Sequence, residues 1–157
     1  MNTVGTCLLE NLHEENLTIN NLVKLIQHEQ TLLINADIEA IKLIVDQKAQ
    51  HIAKLAELSN KRYLTLATAG HQSDETGMQS WIDQHTAPAV NESWQSLLSQ
   101  ANTAKELNHT NGLLINTHLS RNQNTLNVLR GSNKTGNIYG PDGQTTNATK
   151  SRGIVVG

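Results

Sequence analysis

The sequence predicts an all-α protein: an elongated antiparallel bundle of three long helices, coiled-coil-like in its seams, with a flexible C-terminal tail. Three observations carry that reading. From Val4 to Ala69 there is no proline, and glycine occurs only at Gly5. Leu and Ile recur there at spacings of three, four and seven, the period of a helix that faces its partner along a narrow stripe. The apolar fraction is 37% and the aromatic fraction 3%, with no Phe. That is little material for a thick globular core, whereas seams between long helices need mainly Leu and Ile.

The first helix follows from the line Leu8, Leu12, Ile19, Leu22, Ile26 and Leu33. "INAD" at 34–37 breaks the pattern, with Asn35 or Asp37 as an N-cap and Glu39 in the next first turn. The second helix carries Ile41, Ile44, Val45, Ile52, Leu55, Leu58 and Leu66. Lys48 and Arg62 fall on the same side and are expected to snorkel out to water. Gly70 and "HQSDETG" end it, and "MQSWIDQ" predicts a short amphipathic piece packing Trp81 and Ile82.

Pro88 in "TAPAV" is compatible with a first helical turn, and the third long helix runs from there to Arg130. Its stripe is Trp94, Leu97, Leu98, Ala101, Ala104, Ile115, Leu119, Leu126 and Leu129, with Asn108 and Asn122 on the same face as register-setting polar positions. After Gly131 the composition changes: six of the ten glycines lie in the last 27 residues, among Ser, Thr, Asn and Lys. Such a segment buries too little to offset its ordering entropy. The expected division is a helical domain over 1–130 and a flexible or conditionally ordered tail over 131–157. At 1.5 Å per residue the first two helices span about 48 Å and the third about 65 Å, so the third overhangs by roughly 15 Å. Its end, with Leu126, Val128 and Leu129, is an interaction surface or a homodimer contact.

Charge and motifs exclude several function classes. The net charge of -2 gives no electrostatic reason for a nucleic-acid partner. No 18-residue apolar run marks a membrane span. The N-terminus lacks the basic and apolar regions of a signal peptide, so a cytoplasmic location is expected. Cys7 is the only cysteine, and nothing around it activates a nucleophile. Glu-x-x-His occurs twice, at Glu10–His13 and Glu106–His109, which is half of a di-iron carboxylate site. At 100° per residue both glutamates point away from the apolar stripes, so these groups cannot converge in a bundle core. No catalytic residue, metal ligand or cofactor is expected.

The third helix, ending "LLINTHLSRNQNTLNVLRG", and the following "IYGPDGQ" in a chain of three long helices resemble the FlgN family of flagellar type III export chaperones. The resemblance covers the whole chain as architecture, with its specific residues concentrated in 113–144. It implies a non-enzymatic cytosolic chaperone that binds the hook–filament junction proteins FlgK and FlgL and delivers them to the export gate protein FlhA. The client-binding positions it implies are Leu119, Leu126, Val128 and Leu129. The gate-docking tyrosine falls on Tyr139, beside Ile138. Gly140-Pro141-Asp142-Gly143 has the residue preferences of a type I turn, which would hold this apolar pair in a fixed local shape. The final "TNATKSRGIVVG" has no counterpart in the family pattern. The alternative reading is a non-catalytic coiled-coil structural or signalling adaptor.

Overall fold

A computed structural model describes residues 2–133 of the chain. Its elements are α1 (Thr3–Ile34), α2 (Ile38–Thr68), α3 (Glu75–Gln84) and α4 (Pro88–Asn133). Three of these are long, at 32, 31 and 46 residues, and α3 has 10. No strand occurs among the described residues. The chain divides into two compact units between Gly112 and Leu113, inside α4.

Each start has a local cause. Asn2 Oδ1 accepts from Gly5 N at 2.8 Å, Asp37 Oδ1 from Ala40 N at 3.2 Å, and Asp74 Oδ1 from Gly77 N at 2.8 Å. Each oxygen satisfies an amide that the first helical turn leaves without a partner. Of the two cap candidates at the first break, Asp37 is the one used.

The two long ends share a device. At the end of α1, Asp37 N donates to Leu32 O and Ala36 N to Leu33 O, with Ala36 at φ 55°. At the end of α2, His71 N donates to Leu66 O and Gly70 N to Ala67 O, with Gly70 at φ 85°. Both are Schellman motifs, in which one left-handed residue turns the chain back onto the last carbonyls. Glycine adopts that conformation freely, while Ala36 holds it at a steric cost of about 1 kcal/mol.

Within the first unit the whole α1 stripe is buried: Leu8, Leu12, Ile19, Leu22, Ile26 and Leu33. One cluster joins Leu8, Leu12 and Ile19 to Leu66, to Met78 and Trp81 of α3, and to Val90, Trp94 and Leu97 of α4. A second joins Leu22, Val23 and Ile26 to Ala104, with Leu55 and Leu107 packed against it. His85, which closes α3, stacks on Trp81 with ring centroids 4.4 Å apart. Gly77 is required by contact, because a β-carbon there would stand 1.9 Å from Gln72 O.

The second helix departs from expectation in two ways. Val45 and Ile52, expected in the seam, are 50% and 53% exposed, while Ile44, Leu58 and Leu66 are buried. Lys48 and Arg62 do not reach out to water; both turn inward onto carboxylates of α1. Arg62 binds Glu15 through two bonds, Nε to Oε1 at 2.8 Å and Nη2 to Oε2 at 3.1 Å. Asn11 Nδ2 donates to Glu15 Oε1 and to Leu58 O, and Ser59 Oγ donates to Glu15 Oε2. The Arg62 guanidinium also lies over the Trp94 ring at 4.9 Å and the Tyr63 ring at 5.0 Å, a cation–π arrangement. Further along, Lys48 Nζ donates to both oxygens of Glu29 and to Asn108 Oδ1, and Asn111 Nδ2 donates to Glu29 Oε1 and Ile26 O.

These two polar hubs tie α1, α2 and α4 together, and they set the register. Asn11 meets Leu58, Glu15 meets Arg62, and Glu29 meets Lys48, so numbers rise along α1 as they fall along α2. A one-turn slip would leave buried charges unpaired, a penalty of about 3–5 kcal/mol for each broken pair.

Candidate functional site

The fourth helix changes character along its length. In its first part Val90, Trp94, Leu97, Ala104 and Asn111 are buried. From Leu113 to Arg121 no side chain is buried, and three large apolar residues stand open: Leu113 at 54%, Ile115 at 40% and Leu119 at 55% exposure. Ile115 and Leu119, four residues apart, share one side of the helix. Leu113 lies about 160° around the axis from Ile115.

Of the client-binding positions implied by sequence, Leu119 is therefore an exposed apolar residue on regular helix. Leu126, Val128 and Leu129 lie within α4, and their side chains fall outside the described ones. At 100° per residue, positions 126 and 129 follow 115 and 119 along one line. Asn122, on that line, likewise has no described side chain. Ile138 and Tyr139 lie outside the described residues. Asn108 is exposed and serves as an acceptor for Lys48, while the buried seam amide is Asn111.

Sequence reasoning missed a second exposed apolar line. Ile38, Val45 and Ile52 of α2 are 60%, 50% and 53% exposed and recur every seven residues. The signal was present: α2 carries apolar residues over an arc wider than one seam covers. Leu113 was missed because it falls off the main stripe of its helix.

Glu10, His13, Glu106 and His109 are all exposed. Among the described residues no three His, Cys, Asp or Glu side chains are grouped so as to hold a metal ion. Among the same residues no helix is long and apolar enough to cross a membrane. Asp74 has its carboxyl held below its ordinary value, first by the Thr76 hydroxyl and then by the Gly77 amide. That carboxylate caps α3.

Comparison with known proteins finds a family match over most of the chain. The family model described as "FlgN protein" matches residues 1–147. The "Flagella synthesis protein FlgN" of Yersinia enterocolitica is 30% identical over 144 residues, covering 90% of this chain and 91% of that protein. The protein of the same name from Proteus mirabilis is 30% identical over 128 residues, 80% of this chain and 81% of that one. That from Salmonella typhimurium is 27% identical over 143 residues, 90% and 91% of the two chains. No solved structure matches.

Proposed function

Because the chain belongs to the FlgN family, whose curated members are flagella synthesis proteins, we propose that it is a non-catalytic cytosolic chaperone of flagellar export. Its clients are hook–filament junction proteins of the FlgK and FlgL kind, and its destination is the export gate protein FlhA. The observation that carries the reading is the open apolar side of α4, where Ile115 and Leu119 stand exposed on a regular helix.

The mechanism follows from that geometry. An amphipathic client helix laid along positions 115, 119, 126 and 129 removes apolar surface from water on both partners. Each Leu fully covered in this way contributes roughly 1.5–3 kcal/mol. The client's own apolar face is thereby shielded before export. Gate recognition needs a different surface, one that stays accessible in the loaded complex. Ile138 and Tyr139, beyond the leucine line, fill that role, with the tyrosine as a rigid aromatic anchor.

Two binding measurements test the proposal. Replacing Leu119, Leu126 and Leu129 together by Ser should weaken binding of FlgK- or FlgL-like proteins by at least a hundredfold, with unchanged helix content by circular dichroism. Full client affinity in that variant would place the client elsewhere. Tyr139→Ala should leave client affinity intact and weaken binding to the soluble domain of FlhA by roughly thirtyfold. Equal gate affinity would remove the tyrosine from the mechanism. Failure of the wild-type chain to retain either client would overturn the chaperone reading itself.

A further inference from the structure

Gly112 lies where nothing in the packing calls for glycine. A β-carbon built on it meets no atom within 4 Å. It is interior to α4, where glycine is about fourfold to fivefold less favourable than alanine for the helical state. The first compact unit also ends at this residue. Immediately before it, α4 is clasped: Asn111 Nδ2 donates to Ile26 O at 2.9 Å and to Glu29 Oε1 at 2.8 Å, and Asn108 Oδ1 accepts from Lys48 at 2.9 Å. Immediately after it, no side chain from Leu113 to Arg121 is buried.

The local sequence has a specific meaning. Leu107-Asn108-His109-Thr110-Asn111-Gly112-Leu113 has the residue preferences of a Schellman motif, with glycine where α2 has Gly70. Gly112, helical here, stands at the sequence position that the left-handed residue takes in that motif, as Gly70 does at φ 85°. Leu113 follows it, and Leu107 stands where the residue after the left-handed one makes its apolar contact. Leu107 is already packed against the cluster of Leu22, Val23 and Ile26. Yet α4 continues through this site as helix to Asn133.

We infer that Gly112 is a latent helix stop: α4 exchanges between a continuous helix and a state that ends at Asn111, with Gly112 as a left-handed cap and the chain from Leu113 onward released. In the released state Leu113 N donates to Asn108 O and Gly112 N to His109 O, so the shortened helix keeps its last carbonyls satisfied. The clasp on Asn108 and Asn111 keeps residues 88–111 in place in both states. The released segment has little to hold it helical by itself. It is rich in Asn and Thr, which are weak helix formers, and most helical stability in proteins comes from tertiary packing. Because Leu119 lies beyond the stop, a partner that binds the continuous helix shifts the exchange toward it. That last consequence rests on the chaperone reading; the exchange itself does not.

Hydrogen exchange on the full chain, without any partner, tests the stop. Gly112→Ala disfavours the left-handed cap and favours the helix. Amides of 113–121 should then exchange about fivefold more slowly, with those of 88–111 unchanged. Gly112→Asn, which tolerates the left-handed state, should stay within about twofold of wild type. Unchanged exchange over 113–121 in Gly112→Ala, or equal slowing on both sides of residue 112, would overturn the inference. So would a Gly112→Asn variant that behaves like Gly112→Ala. Client affinity of Gly112→Ala, measured separately, should rise by up to the same fivefold if the partner binds the continuous helix.

Discussion

The two parts of α4 are made from similar residues and meet opposite fates. Before Gly112, Trp94, Leu97 and Ala104 are buried, and Asn111 is 1% exposed. After it, Leu113, Ile115 and Leu119 are open to water. A chain with only 37% apolar residues has little material to cover a helix of 46 residues. It secures one part with two charged hubs and leaves apolar surface on the other. The contrast teaches that apolar residues stay exposed where the hubs do not reach, while the buried charges fix which residues of α1 and α2 face each other.

Substitutions sharpen that contrast. Arg62→Ala should have the largest effect. It strands Glu15 in the core and removes the cation–π contacts, so unfolding by denaturant should show a loss of about 3–5 kcal/mol. Restoring most of that stability with a joint Glu15→Leu and Arg62→Met change would show that the pair serves register more than stability. Gly77→Ala comes next, at about 1–3 kcal/mol, because the new methyl must displace Gln72 backbone. Asn111→Ala should cost about 1–3 kcal/mol by leaving Glu29 and Ile26 O short of a donor. It should also loosen the hold on α4 just before Gly112.

A smaller effect is expected at Asp74, which is fully exposed. Its folded carboxyl titrates below the ordinary 3.8, so ionisation favours the folded state. The contribution is present above that ordinary value and is lost as pH falls through the depressed one. Thermal melts of wild type and Asp74→Ala should therefore differ slightly at neutral pH and converge in strong acid. The smallest effect belongs to the far part of α4. Leu119→Ser should change stability by no more than about 0.5 kcal/mol. A loss of several kcal/mol there would show Leu119 to be core and would break the comparison outright.

Much of this was legible in advance, and the limits have physical causes. The α1 stripe was readable because its six residues keep one regular helical spacing, and all six are buried. The α2 stripe was not, because apolar spacing identifies a helical face without saying how much of it a neighbour covers. Val45 and Ile52 share the period of the seam and lie outside it. The caps at Asp37 and Asp74 were carried by residue chemistry within four positions of chain. Of the candidate site, Leu119 was named through the family resemblance, whereas helical spacing alone placed it in the seam. Leu113 and the line Ile38, Val45 and Ile52 were not.

The sequence alone determined the helices, their breaks and the scarcity of core, because those depend on interactions between residues a few positions apart. Tertiary structure decided the direction of the long polar side chains. Lys48 and Arg62 read as snorkelling cations until Glu29 and Glu15, 19 and 47 residues away in the chain, arrive beside them. Asn111, not Asn108, became the buried amide because Ile26 O and Glu29 lie against it. A buried charge or amide is tolerated only where its partner stands, and the partner's position is a property of the fold.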